Sequence, residues 1–189
     1  MATERRQPAR RLRSRGPEAT EALGQGLGRV LEAGTILALS GELGTGKTAF
    51  VRGLARGLGV GGPVSSPSFT LMQRYEGGRL ALSHFDAWME GRERAWLADG
   101  GAEELGGEGV AAIEWAERVA EWLPSPHLLL ELSHAGPRER FLSLSVVGAG
   151  PGARALERLV GALALPPGVD EIAAGGGEPP AARPVEGGR

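Results

Sequence analysis

Residues 41–48, with the sequence GELGTGKT, constrain this chain more than any other segment. They match the pattern G-x-x-x-x-G-K-[ST], in which a glycine-rich backbone surrounds a phosphate and a lysine supplies a compact positive charge. Lys47 is the single lysine of the chain, and the other 20 of its 21 basic residues are arginines. Because the planar guanidinium of arginine is too bulky for such a loop, a lysine kept only here favours phosphate binding. The predicted nucleotide-binding residues of this segment are Gly41, Glu42, Leu43, Gly44, Thr45, Gly46, Lys47, Thr48 and Ala49.

The segments on either side of the loop agree with this interpretation. Residues 35–40 are a short apolar run that predicts a buried strand leading into the loop. Residues 47–58 place apolar side chains at helical spacing, and Gly59 follows as a stop signal. A strand, a glycine loop and a helix in this order aim backbone N–H groups and the positive end of the helix dipole at a phosphate.

Length and composition limit the remaining possibilities. A chain of 189 residues without cysteine predicts one domain of ordinary size, with neither disulfides nor a thiolate metal site. No apolar run reaches the roughly 20 residues of a membrane span. The N-terminus also lacks the apolar segment of a secretory signal. We therefore expect a soluble cytoplasmic protein that has no membrane partner.

The two ends of the chain differ from its centre in composition. Residues 1–16 contain six arginines and one glutamate, so this segment carries +5 and the acidic remainder carries −7 of the total charge of −2. We interpret residues 1–16 as a disordered Arg-rich arm, with contact to RNA as the alternative. Residues 149–189 predict a short helix within 153–165 and then a disordered Gly/Pro-rich tail. The P-loop domain is therefore predicted to span residues 17–148.

The centre of the chain alternates between strand and helix patterns. Further helices are predicted at 18–33, 90–97 and from Trp115 to Trp122, and further strands at 80–85, 110–113, 127–132 and 140–147, with a strand start within 63–72. This alternation around a phosphate loop predicts an α/β, three-layer P-loop NTPase-like fold. It should have a largely parallel central sheet with helices on both faces.

Two acidic residues stand directly after predicted strands. Asp86 follows residues 80–85, and Glu114 follows residues 110–113. Side chains at these positions emerge at the carboxyl edge of an open α/β sheet, where ligands bind. Mg²⁺ prefers oxygen ligands and keeps several waters, so one or two carboxylates and the hydroxyl of Thr48 would suffice. The predicted metal-binding residues are Thr48, Asp86 and Glu114, and the predicted catalytic residues are Lys47, Asp86 and Glu114.

Several segments in order resemble a known family. They are the loop itself, the stretch VSSPSFTL at 64–71, His84-Phe85-Asp86, and IEWAE at 113–117. Over residues 17–148 the chain is similar to the TsaE family, the YjeE-type P-loop ATPases of bacterial tRNA threonylcarbamoyladenosine biosynthesis. In place of the family's usual residues after Asp86, this chain has Trp88-Met89-Glu90.

The resemblance implies a Mg²⁺-dependent ATPase. Because the sequence places no arginine as a finger on the phosphates, we predict slow turnover alone and acceleration in the complex. ATP and Mg²⁺ would bind at the P-loop, Trp115 would belong to the nucleotide site, and residues 66–70 would form a switch-like segment. The implied partners are the threonylcarbamoyl-transferase subunit and its paralogous partner, proteins of the TsaD and TsaB type. The chain would meet tRNA indirectly, through that complex. ATP hydrolysis would drive or reset the complex.

Two other functions stay open at this point. A P-loop small-molecule kinase would use the same cradle beside an acceptor pocket, and a nucleotide-gated binding module would use ATP without catalysis. A GTPase is disfavoured, because guanine recognition commonly uses an Asn-Lys-x-Asp segment and the single lysine lies in the loop. For the base, Thr20 and the turn after Leu132 are guesses by position. His84 is expected to be a structural side chain.

Overall fold

The computed structural model describes residues 10–67, 70–88 and 105–173. The predicted helix at 90–97, which contains Arg92 and Arg94, therefore lies outside the described residues. Two residues of the switch-like segment, Ser68 and Phe69, also lie outside them. The elements in chain order are β1 (Arg10–Ser14), α1 (Pro17–Val30), β2 (Ile36–Ser40), α2 (Lys47–Leu58), β3 (Met72–Tyr75), β4 (Leu82–Asp86), β5 (Val110–Glu114), short 3₁₀ helices at Ala116–Arg118 and Ala120–Trp122, β6 (His127–His134), β7 (Arg140–Val147), α3 (Pro151–Ala162) and β8 (Val169–Glu171).

The strands form one mixed sheet in the order β3-β4-β5-β2-β6-β7-β1-β8. The pairings β4–β5, β5–β2 and β2–β6 are parallel, whereas β3–β4, β6–β7, β7–β1 and β1–β8 are antiparallel. The prediction of a largely parallel sheet is therefore wrong. Parallel pairing is confined to the strands β4, β5, β2 and β6. The hairpin between β6 and β7 then reverses the direction of the chain.

The described α-helices all contribute to the larger of two apolar clusters. Leu27 of α1, Leu54 of α2 and Val160 of α3 pack together with Leu37 and Leu39 of β2. The second cluster contains Ile36 and Ala38, the alternate residues of β2, and is covered by Ala116 and Val119. Since successive side chains of a strand point to opposite faces, the two clusters lie on the two faces of the sheet. Within the described residues, helices on both faces are not observed, because the second face receives only 3₁₀ turns.

Glycines allow α1 and α2 to pack backbone against backbone. A Cβ added to Gly53 would lie 1.8 Å from the carbonyl oxygen of Glu21, and one added to Gly24 would lie 2.2 Å from that of Phe50. Gly28 and Gly57 make equally close approaches farther along the pair. The side chains of Leu23, Leu54 and their neighbours then fill the space beneath, against the sheet. The close packing fixes the helix that begins with Lys47.

The two chain ends correct the domain prediction. Residues 10–14 are strand β1 rather than part of a disordered arm, and 169–171 are strand β8 rather than part of a disordered tail. β1 lies between β7 and β8, with Leu12 fully buried. The predicted helix within 153–165 is confirmed as α3. Arginine-rich composition concealed the strand, because arginine side chains can point to solvent while alternate residues enter the core.

Candidate functional site

Strand β2, residues 41–46 and α2 form the predicted strand, loop and helix. The helix starts at Lys47, and Gly46 before it has a positive φ of 99°. Gly41 leaves β2 with a φ of 137°, and a Cβ there would lie 2.2 Å from the carbonyl oxygen of Leu132. These glycines are required by the path of the backbone, since other residues adopt such conformations only with strain.

Side chains satisfy successive carbonyl oxygens of the loop. Lys47 Nζ donates to Gly41 O at 2.6 Å and to Glu42 O at 3.0 Å. The guanidinium of Arg140 donates to Gly44 O at 3.0 Å, and His134 Nε2 lies 3.4 Å from Leu43 O. Because these carbonyls bond to the protein, the loop is held in a fixed shape with its amide side available for an anion.

Lys47 is buried beneath the loop. Its side chain is 4% exposed, and Nζ lies 3.6 Å from the centroid of the Trp115 ring, a close cation–π contact. Burial lowers the pKa of Lys47, while the nearby carboxylates of Glu114, Glu117 and Asp86 act in the opposite direction. The ammonium group is thus held by two carbonyls and an aromatic face.

Asp86 and Glu114 lie side by side at the ends of neighbouring parallel strands. They are register partners between β4 and β5, and each is 3% exposed. Asp86 accepts hydrogen bonds from Ser66 Oγ and from the backbone N–H of Trp88, the latter at 3.0 Å. The two acids therefore share one edge of the sheet, as the sequence predicted.

Glu114 joins the P-loop helix to the interior of the sheet. Thr48 Oγ1 donates to its Oε2 at 2.9 Å, and His84 Nε2 lies 2.8 Å from its Oε1. His84 is fully buried on β4, two residues before Asp86 and on the same face of that strand. Each carboxylate oxygen of Glu114 has its own partner, one on α2 and one on β4.

An aromatic pair covers the end of β5. Trp115 has a positive φ of 59°, which is unusual for a bulky residue, and its ring centroid lies 4.4 Å from that of Trp88. The Arg118 guanidinium lies 5.0 Å from the Trp88 ring and donates to the Trp88 carbonyl at 2.7 Å. The strained backbone at Trp115 turns its ring toward Lys47.

A cavity of about 690 Å³ brings most of these groups together. Of the predicted site residues, Gly41, Glu42 and Thr45 do not line it. Thr20, one positional guess for the base, is buried and hydrogen-bonded to Ser14 and does not line the cavity either. The lining residues are Leu43, Gly44, Gly46, Lys47, Thr48, Ala49, Arg52, Ser66, Asp86, Trp88, Glu114 and Trp115.

Sequence reasoning missed several contributors. Arg140 and His134 support the loop from the hairpin between β6 and β7, and nothing local to them signals that role. Arg52 follows Thr48 by four residues, so helical spacing places both on the side of α2 that lines the cavity. His84 is expected from the sequence to be a structural side chain, and its direct contact with the predicted site residue Glu114 is not marked by the sequence.

The oxygen donors at this edge match the chemistry of Mg²⁺. Hydroxyl and carboxylate oxygens from Thr48 and Asp86 line the same cavity as the loop, and Glu114 lies beside them. Over residues 10–67, 70–88 and 105–173, no group of three or more His, Cys, Asp or Glu side chains converges as a metal cage. Such a sparse donor set suits an ion that also binds phosphates and waters.

The sequence profile described as "Threonylcarbamoyl adenosine biosynthesis protein TsaE" matches residues 14–141. The chain belongs to the TsaE family. The resemblance drawn from the loop and the Glu-Trp pair is thereby confirmed, and the match runs from the end of β1 to the start of β7.

Similar proteins support the same assignment. The tRNA threonylcarbamoyladenosine biosynthesis protein TsaE of Bacillus subtilis is 38% identical over 136 residues, which are 72% of this chain and 85% of that protein. The TsaE protein of Treponema pallidum is 42% identical over 119 residues, or 63% of this chain and 87% of the relative. The crystal structure of YdiB from Bacillus subtilis has a TM-score of 0.65 and 34% identity, and the alignment covers 79% of this chain and 93% of that one.

Proposed function

We propose that this chain is a Mg²⁺-dependent P-loop ATPase that acts in the cytoplasm. Its pathway is tRNA threonylcarbamoyladenosine biosynthesis, in which the TsaE family takes part. It binds and hydrolyses ATP to drive or reset a threonylcarbamoyl-transferase complex. None of the helices within the described ranges is long and apolar enough to cross a membrane.

One observation carries the proposal. The paired acids Asp86 and Glu114 open into the same cavity as Lys47 and Thr48, although these residues are distant in sequence. A loop that only bound a phosphate would require the lysine and the glycines. Two buried acids beside them are what hydrolysis requires in addition, since an attacking water must be oriented and a metal held.

Each residue has a role in the proposed reaction. Lys47 would leave its two carbonyl partners to contact the β- and γ-phosphates, for which it provides a compact charge. Glu114 would orient the attacking water or accept its proton through the oxygen that now faces Thr48. Of residues 41–49, those that line the cavity would form the nucleotide-binding surface together with Trp115, and they are Leu43, Gly44, Gly46, Lys47, Thr48 and Ala49.

Thr48 and Asp86 are the residues that would hold Mg²⁺, with Glu114 close enough to act directly or through a water. Bound there, the ion would neutralise the negative charge of the phosphates while the γ-phosphoryl group passes to water and ADP leaves. Thr48 donates its hydroxyl hydrogen to Glu114, which leaves lone pairs of the same oxygen for the metal.

The proposed partners are the threonylcarbamoyl-transferase subunit and its paralogue, of the TsaD and TsaB type, through which the chain would meet tRNA indirectly. The cavity is open, and its rim carries Leu43 and Trp88, both exposed hydrophobic residues. An open site retains bulk water, which weakens electrostatic stabilisation of the transition state. Slow turnover by the isolated chain and acceleration in the complex follow from this openness.

The test is ATP hydrolysis by the full chain, alone and with the two partners, with Lys47→Ala as the blank. A low basal rate that rises with the partners is the expected result, and Mg²⁺ chelation should abolish it. Glu114→Gln should remove hydrolysis and retain binding of a fluorescent ATP analogue. A rate indifferent to partners would contradict the proposed role in a complex.

The same measurements separate the alternatives. A small-molecule kinase would show turnover only with an added acceptor and would be indifferent to the partners. A nucleotide-gated binding module would bind ATP, and Glu114→Gln would then leave its behaviour unchanged.

A further inference from the structure

His84 is a buried polar side chain that the proposed reaction does not use. It is 0% exposed, and its Nε2 lies 2.8 Å from Glu114 Oε1. Its other ring nitrogen, Nδ1, is buried and has no hydrogen-bond partner within residues 10–67, 70–88 and 105–173. The unpaired Nδ1 has a free-energy cost that a buried apolar residue would avoid, so filling space alone does not explain a histidine here. The bond through Nε2 is therefore the feature that explains histidine at this position.

The contact fixes which oxygen of Glu114 faces the site. Glu114 Oε1 is turned toward β4 by His84, whereas Oε2 is turned toward Thr48 on α2. Rotation of the carboxylate out of its present plane would break both hydrogen bonds, so the two donors together hold its orientation.

We propose that His84 is a positioning residue for Glu114. By donating from Nε2 to Oε1, it holds Oε2 toward Thr48 and the cavity, where the attacking water and the γ-phosphate would meet. An ionised carboxylate can only accept, so Nε2 is the donor in this hydrogen bond. The inference rests on the proposed hydrolytic role of Glu114 and adds the group that orients it.

The geometry offers matched substitutions. The side-chain nitrogen of glutamine reaches about as far as Nε2 of histidine, so His84→Gln retains the donor to Glu114. The amide of asparagine instead corresponds to Nδ1 and falls short of the carboxylate. His84→Phe removes every donor but keeps a buried ring. Far-UV circular dichroism and the unfolding midpoint establish that each variant is folded. Should His84→Phe fail to fold, the Gln and Asn pair still gives the comparison.

The kinetic test measures kcat for partner-stimulated ATP hydrolysis and the Kd for a fluorescent ATP analogue. Loss of a side chain that orients a site ligand typically costs about 10- to 100-fold in activity, and we expect this loss in kcat for His84→Phe and His84→Asn. His84→Gln should recover most of kcat, and the Kd should stay near that of the natural chain in all three variants. Equal loss in the Gln and Asn variants, unchanged kcat in the Phe variant, or a loss confined to Kd would overturn the proposal.

A spectroscopic test does not depend on hydrolysis. In the ¹⁵N-histidine spectrum of the full chain, the His84 signals, assigned with His84→Gln, should show hydrogen on Nε2. Glu114→Gln should shift the Nε2 signal. An Nε2 without hydrogen, or a signal indifferent to Glu114→Gln, would refute the positioning role. If the natural chain does not hydrolyse ATP with its partners, the proposed function fails, and the spectrum still decides whether His84 orients Glu114.

Discussion

The parallel centre of the sheet (β4, β5, β2 and β6) and its antiparallel edge (β7, β1 and β8) use polar residues in different ways. In the centre, Asp86, Glu114 and His84 are at most 3% exposed and bond to one another or to nearby hydroxyls. At the edge, arginines pair with acids at the surface, as Arg15 does with Asp170, whose side chains are 65% and 51% exposed.

The difference has an energetic consequence. Loss of one partner of a buried hydrogen bond costs about 1–3 kcal/mol, whereas an exposed ion pair contributes about 0–1 kcal/mol. Substitutions of the buried polar residues at the centre should therefore have larger effects on activity and stability than substitutions at the edge. The size of these effects should fall from the phosphate loop outward, and four substitutions test this order.

Lys47→Arg should have the largest effect. The ammonium group fits between two loop carbonyls and lies 3.6 Å from the centre of the Trp115 ring, and a planar guanidinium does not fit there. Because one preorganised charge donor is worth about 100-fold or more, or about 3 kcal/mol, hydrolysis of ATP should fall by at least that factor although the charge is kept.

Arg56→Lys is the matched control for this exchange. It lies on the same helix, is largely exposed and pairs with Glu21 at 2.7 Å. The rate of ATP hydrolysis and the free energy of unfolding should be nearly unchanged in this variant. Activity retained by Lys47→Arg would show that charge, rather than shape, is what the loop needs.

Gly53→Ala should have the next largest effect, on folding. A methyl group there would meet the Glu21 carbonyl at 1.8 Å, so α1 and α2 must separate. Overpacking of this kind costs about 1–3 kcal/mol, which exceeds the gain of about 1 kcal/mol from better helix propensity. Urea unfolding should show lower stability.

Gly161→Ala in α3 is the matching change without a clash, since an added Cβ has nothing within 4 Å. It should stabilise the chain by up to about 1 kcal/mol. If both variants were stabilised, the close packing of the two helices would not be a constraint on the sequence.

Short-range patterns explain what the sequence could predict. Strand β2, the loop and α2 follow from adjacent residues, so their boundaries were nearly right, with the strand at 36–40 and the helix at 47–58. Asp86 and Glu114 could be found because each ends an apolar strand. Their register, by contrast, depends on pairing between strands far apart in sequence.

Long-range pairing also explains the errors. Strand β8 has three residues in a Gly/Pro-rich region, and it is stabilised by contacts with distant residues such as its pairing with β1, so no local pattern marks it. The antiparallel direction of β7 and β1 likewise depends on the whole topology. At the site, Arg140 contacts a carbonyl 96 residues earlier in the chain, a contact that no spacing rule predicts.

Arg140→Ala should have an intermediate effect, at the boundary between centre and edge. It removes the donor to Gly44 O and leaves that loop carbonyl with less support. A hydrogen bond from a charged donor is worth about 1.5–3 kcal/mol at most, and this one is partly exposed, so we expect the Kd for ATP to rise about three- to tenfold.

Arg138→Ala serves as the control, because Arg138 lies two residues away and pairs with Glu18 at the surface. Its Kd for ATP should match that of the natural chain, as titrated with the fluorescent analogue. Equal weakening in both variants would indicate a general effect of positive charge near the loop.

The smallest effect is expected at the outer edge, where Arg10 of β1 pairs with Glu171 of β8 at 2.8 Å. The hydrogen bond from Arg10 holds the pKa of Glu171 below its usual value. A carboxyl group with a lowered pKa in the folded state stabilises the fold above its unfolded pKa, about 4.3, and this contribution is lost as the pH falls through the folded pKa.

Glu171 is exposed, so Glu171→Gln should lower the free energy of unfolding by less than about 1 kcal/mol at pH 7. The difference should shrink below pH 4. A loss at pH 7 as large as that of Gly53→Ala would break the proposed ranking and make the edge as important to folding as the centre.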